Sequence, residues 1–120
     1  MGELVSIGSR RVFTLAQARA LLPVVRRITR RARTRYQALQ ARLGATPQSV
    51  EQVVTLEQAI HEVVAEWTER IERLGCTARG LWTVDFDSGT GFFCWRYPED
   101  DIAYFHGYDD GFAGRTPLRT

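Results

Sequence analysis

From Ala18 onward, apolar or small side chains return at Leu22, Val25, Thr29, Ala32, Tyr36, Leu39 and Leu43, in alternating steps of four and three. That spacing is a heptad-like stripe along one side of an α-helix. The helix start is written in Phe13-Thr14-Leu15-Ala16-Gln17-Ala18. There the Thr14 hydroxyl can accept from the Gln17 amide, the Gln17 side chain can reach back, and Phe13 can staple onto Ala18. Gly44 predicts the stop. Pro23 removes one backbone hydrogen bond, which predicts a kink over 19–23. A second helix is expected to restart with Thr46 as its cap and Pro47 at its first position. Its stripe is Val50, Val53, Glu57, Ile60, Val64, Trp67, Ile71 and Leu74, closed by Gly75. The link is short, so the two helices, each about 28 residues and roughly 40 Å long, fold back antiparallel.

A hairpin of two helices buries one stripe on each, yet a second stripe is present: Leu21 and Ile28 on the first helix, Leu56 and Val63 on the second. Both fall on one flank of the pair, which something must cover. The C-terminal segment covers part of it in this reading, and a second copy of the chain the rest, which predicts a homodimer.

Beyond Gly75 the period changes. Residues 81–86, 92–97 and 102–106 have strand composition and length. Asp87-Ser88-Gly89-Thr90-Gly91 and Pro98-Glu99-Asp100-Asp101 are turn sequences between them. The prediction is a three-stranded antiparallel meander followed by an ordered tail anchored by Phe112. The whole is one α+β domain over residues 1–120, with the hairpin at about 14–75 and the meander and tail at about 79–120.

Charge adds to this picture through its distribution. The formal net charge is +2, and all sixteen basic residues are arginine. Eight arginines and no acid lie in residues 15–43, whereas 47–74 and 85–110 are acidic. Arg19, Arg26 and Arg33 recur every seven residues along one flank. They are expected to meet acids of another subunit or of the C-terminal segment, or to stay solvated; the alternative is phosphate of a nucleic acid. No helix-turn-helix or ribonucleoprotein signature supports that alternative. No apolar run is long enough to cross a membrane. Met1-Gly2-Glu3-Leu4-Val5 does not read as a secretion signal, so a cytoplasmic location and reduced thiols at Cys76 and Cys94 are expected.

The chemistry-bearing residues cluster late. Phe92-Phe93-Cys94-Trp95-Arg96 precedes Ile102-Ala103-Tyr104-Phe105-His106 and Gly111-Phe112-Ala113-Gly114-Arg115. Strand alternation puts Cys94 on the face of Phe92 and Arg96, and His106 on the face of Tyr104 and Ile102. Cys94 reads as a buried structural thiol, with a thiolate activated by Arg96 as the alternative. Glu57, the one charge on either stripe, falls opposite Tyr36 and Leu39, so a bond to the Tyr36 hydroxyl is expected. Glu57 and His61, one turn apart, could instead share a divalent metal, with a third ligand from His106, Asp109 or Asp110.

Several blocks together resemble a known family. Phe13-Thr14-Leu15, Ala18, Leu21-Leu22-Pro23, Gly80-Leu81, Val84-Asp85-Phe86, Cys94-Trp95-Arg96, Glu99, Ile102, Tyr104, His106 and Gly111-Phe112-Ala113-Gly114-Arg115 with Pro117-Leu118 are similar to a bacterial family catalogued as a domain of unknown function (number 2203). The resemblance spans nearly the whole chain and implies no activity. It marks Asp85, Cys94, Trp95, Arg96, Glu99, Tyr104, His106, Gly114 and Arg115 as the residues that matter. Two departures stand out: the loop after Asp85-Phe86 is short, and Gly107 follows His106 where family members carry an acid.

The functional expectation is a non-enzymatic, cytoplasmic, homo-oligomeric binding or assembly protein. An anionic ligand would be held by Arg96, His106 and Arg115, with Asp85, Glu99 and Tyr104 beside them. No cofactor is required. The alternatives are a metal-dependent enzyme using His106 with Glu57, His61 and Asp109, and nucleic-acid binding through the first helix.

Overall fold

The computed structural model describes residues 11–45 and 47–118. The expectations resting on Met1–Val5 and on Thr46 lie outside those residues. Helix α1 spans Leu15–Ala45 and α2 spans Val50–Arg73. The strands are β1 (Thr77–Ala78), β2 (Thr83–Asp87), β3 (Phe92–Arg96), β4 (Tyr104–His106) and β5 (Thr116–Pro117), with one 3₁₀ turn at Phe112–Gly114. Among the described residues the sheet therefore has five strands rather than three, ordered β1-β2-β3-β4-β5, every neighbour antiparallel. The two added strands are two-residue edges, too short to leave a period in the sequence.

The start of α1 is the reciprocal cap expected from the sequence. The Gln17 amide donates to Thr14 Oγ1 at 3.1 Å, and the Thr14 amide donates to Gln17 Oε1 at 2.9 Å. The helix runs unbroken through Pro23, which sits on its exposed side. Its end is not set by Gly44, which remains helical. Gln48 Nε2 donates to the carbonyls of Arg42 and Leu43 instead, satisfying acceptors that the last turn leaves open. The start of α2 also differs from expectation, since Pro47 is not helical. Ser49 and Gln52 form a capping box that satisfies two amides at once. Gly75, at φ +90°, ends the hairpin as predicted, in a conformation that disfavours a side chain.

The inward face of α2 carries Leu56, Val63, Trp67 and Ile71, all buried, while Glu57 is exposed and Val50 is 80 % exposed. This face must meet α1 and the sheet together, so it is rotated from the stripe that would serve a two-helix seam alone. Trp67 is the joint: its Nε1 donates to the buried Thr29 hydroxyl of α1 at 2.9 Å, and its ring meets Trp82 edge-on at 5.0 Å. Trp82, Val84, Phe86 and Trp95 of the sheet join the same core.

The second stripe is thereby covered from within. Ile28, Leu56 and Val63 are 9 %, 6 % and 2 % exposed, and Leu21 packs at the edge of the core. Ile28 and Val63 of this flank share one core with Trp82, Val84, Phe86 and Trp95, as the expected cover by the C-terminal segment requires, while Leu21 stays half-buried. The arginine flank is also accounted for. Arg19 donates to the carbonyl of Ile102 and lies 3.4 Å from Asp101; Arg26 donates to the carbonyls of Glu99 and Asp100; Arg33 stacks over Tyr97. These cations hold the β3–β4 turn against α1.

Candidate functional site

The sheet has two chemically different faces. Val84, Phe86 and Trp95 point to the helices, and alternation sends Thr83, Asp85, Cys94 and Arg96 to the other side. The register aligns Thr77 with Asp85, Asp85 with Cys94, and Cys94 with Tyr104. Residues directly opposite share a face, so these four form one row across β1 to β4. Phe92 stands opposite His106 and Thr83 opposite Arg96, flanking that row. Ile102, expected on this face with His106, is buried in the helix-side core, because the strand begins only at Tyr104.

Asp85 is the hub, at 1 % exposure. Its Oδ2 accepts from Arg79 Nε at 3.0 Å and lies 3.0 Å from His106 Nε2. Its Oδ1 is buried without a hydrogen-bond partner, as is the hydroxyl of Thr77 opposite it. His106 Nδ1 lies 2.9 Å from the Gly107 carbonyl oxygen and Nε2 lies 3.0 Å from Asp85 Oδ2, so the ring is held at both nitrogens. Cys94 is fully buried beside this pair; one ligand atom each of Asp85, Cys94 and His106 fall within 4.8 Å of one another.

Residues 107–115 fold over part of this face and leave a cleft of about 440 Å³. It is lined by the buried Asp85 and His106 together with Arg79, Thr83, Arg96, Asp109, Asp110 and Phe112. The expected trio of Arg96, His106 and Arg115 is only partly assembled: Arg96 and His106 line the cleft and Arg115 does not. Arg115 donates to both oxygens of Glu99, at 3.1 and 2.9 Å, and its guanidinium lies between the rings of Tyr104 and Phe112. Glu99 also accepts from the Arg96 amide at 2.8 Å. Glu99, Tyr104 and Arg115 therefore clamp the tail to the sheet.

Glu57 and His61 are exposed on α2, beside Gln40, Leu43 and Val54, and do not join His106. The Tyr36 hydroxyl accepts from Gln40 Nε2 and does not donate to Glu57, which the rotated α2 face turns outward. Asp109 lies on the exposed rim of the cleft. Arg79 and Thr77 were missed by sequence reasoning. Their only signal was even spacing ahead of Asp85, and the two-residue β1 was not visible to support it.

Neither cysteine is bonded to another. Burial, and then the neighbouring Asp85 carboxylate, pushes the Cys94 thiol up to about 12; burial pushes Cys76 up to about 12 as well. An activated thiolate is therefore not formed at neutral pH. In the native protein at pH 8 both thiols should resist iodoacetamide, reacting at least about a hundredfold more slowly than in urea. Stability should also fall as pH rises above about 9, because the unfolded chain releases these protons while the folded one holds them until about 12. Fast labelling of the folded chain, or a flat stability profile from pH 9 to 11, would contradict the burial argument.

The fold and site define an α+β helical-hairpin domain with an Asp–Cys–His cluster beneath a polar cleft. The chain belongs to the family described as Uncharacterized conserved protein (DUF2203), matched over residues 11–118. Among curated proteins and among solved structures, no match is found. No helix among the described residues is long and apolar enough to cross a membrane.

Proposed function

We propose that this protein is a non-enzymatic binder of a small anionic ligand, and that Arg96 receives the ligand's carboxylate or phosphate group in the cleft. The observation that carries this reading is the state of Arg96. Its side chain is exposed at the cleft, rests on the Phe112 ring at 4.8 Å, and is paired with no acid among the described residues. A guanidinium held over an aromatic ring is pre-oriented, and its fork suits planar or tetrahedral oxyanions. Thr83 and the remaining donors of Arg79 line the same cleft, and the exposed Asp109 adds a carboxylate that favours a hydrogen-donating group elsewhere on the ligand.

Thermal unfolding in the presence of phosphate, sulfate, succinate or citrate tests it. At tenfold excess over its dissociation constant, a true ligand stabilises by about 1.4 kcal/mol. For a domain of this size that is a rise in Tm of roughly 4–6 °C. The Arg96→Gln variant should keep the unliganded Tm within a few degrees and lose the rise. No rise with any of these anions, or an equal rise in the variant, would sink the proposal.

A further inference from the structure

The buried cluster below the cleft has a donor set that the anion reading does not use. We propose that Asp85, Cys94 and His106 form a site for a divalent transition metal of the zinc class, with one coordination position open toward the cleft. Thiolate, imidazole and carboxylate are the three ligand types such borderline-soft ions take, and three protein ligands leave a fourth position for water or a ligand oxygen.

Several independent observations converge on it. The ligand atoms lie within 4.8 Å of one another. A tetrahedral ion with bonds of ~2.0–2.3 Å needs ligand separations of roughly 3.3–3.8 Å, so side-chain shifts of about an ångström seat it. Asp85 Oδ1, on a carboxylate only 1 % exposed, has no hydrogen-bond partner, while Oδ2 is occupied by Arg79 and His106. The imidazole is oriented as metal ligands are: Nδ1 is set against the Gly107 carbonyl at 2.9 Å, and Nε2 faces the cluster. The Thr77 hydroxyl, buried and unpartnered opposite Asp85, adds an oxygen that can bond a metal-bound water. Asp85 and His106 both line the cleft, which supplies the path for the ion. On binding, the Cys94 thiol proton leaves to solvent as the metal takes its place on sulfur.

Titration of untagged, chelator-treated protein with cobalt(II) and zinc(II) decides this. The expected result is one equivalent of cobalt, with a near-ultraviolet sulfur-to-cobalt charge-transfer band and visible bands of tetrahedral strength, all bleached by zinc. Cys94→Ser should remove the charge-transfer band and weaken binding at least about tenfold, and His106→Gln should weaken it comparably. Cys76→Ser and the double variant Glu57→Gln/His61→Gln should titrate like the parent. Arg96→Gln should also bind metal normally, so this proposal and the anion reading fail separately. Folded parent protein that takes up no stoichiometric cobalt, or shows no sulfur band, overturns the site whatever the variants do. So does an unchanged cobalt spectrum in Cys94→Ser.

Discussion

Asp85→Ala should cost the metal-free fold about 3–5 kcal/mol in urea unfolding, one of the two largest single-site losses expected in this domain. The carboxylate is the common acceptor for Arg79 and His106, and His106 is itself 4 % exposed. Removing it leaves the buried His106 ring nitrogen without its partner, and frees the half-exposed Arg79 from its anchor. Alanine also opens a void beside Cys94, on a face that water reaches only through the cleft. Asp85→Asn keeps the shape and one acceptor oxygen, so it should lose less, about half as much. A double-mutant cycle between Asp85→Asn and His106→Gln should return a coupling of about 0.5–3 kcal/mol. Additive losses would mean that the contact at 3.0 Å carries no energy.

Trp67→Ala should be comparably severe, at about 3–5 kcal/mol from lost burial alone. Trp67 is 1 % exposed and touches all three layers of the protein: α1 through Thr29, the sheet through Trp82, and its own helix. Truncation also strands the fully buried Thr29 hydroxyl, whose partner is the indole N–H. Against a typical total of 5–15 kcal/mol, such a loss leaves a marginal fold. Trp67→Phe separates the two contributions: it keeps a large ring but not the donor, and should cost about 1–3 kcal/mol. A Phe variant as damaged as the Ala variant would place the importance of this residue in the hydrogen bond rather than in packing. Equilibrium urea curves for the three proteins suffice.

Much of the local structure was legible from residues close together in the chain. Thr14 and Gln17 cap α1 as their spacing predicts, because a capping box needs only four consecutive residues. The turn at 87–91 is equally local: the Gly89 amide donates to Asp87 Oδ1, the Ser88 amide to the Gly91 carbonyl, and Gly89 supplies a φ of +93°. Alternation correctly placed Cys94 with Phe92 and Arg96. The start of α2 was placed too early, at Thr46-Pro47, because the capping box of Ser49 and Gln52, which satisfies two amides, was passed over.

The misplaced features share a cause, which is dependence on partners distant in the chain. Glu57 was read as inward because two helices alone would make a seam there. The sheet draws the α2 face round toward Leu56, Val63 and Trp67 and turns Glu57 to solvent. Nothing in the periodicity of the apolar flank said that Trp82 and its neighbours would pack on Ile28 and Val63. Nor did Arg115 show that its Nη1 would donate to both oxygens of Glu99, sixteen residues earlier.

By itself, the order of residues determined that two capped helices and an antiparallel meander would form, which side chains would share each face, and that the arginine flank would need acceptors. Those are consequences of helix and strand periods and of short-range hydrogen bonding. Only the tertiary structure decided that Arg79, Asp85, Cys94 and His106 meet in one buried cluster. Their contact requires β1, β2, β3 and β4 to be laid side by side in a particular register, and register across a sheet is set by packing against the helices, through Trp67 and Trp82, rather than by any short stretch of chain.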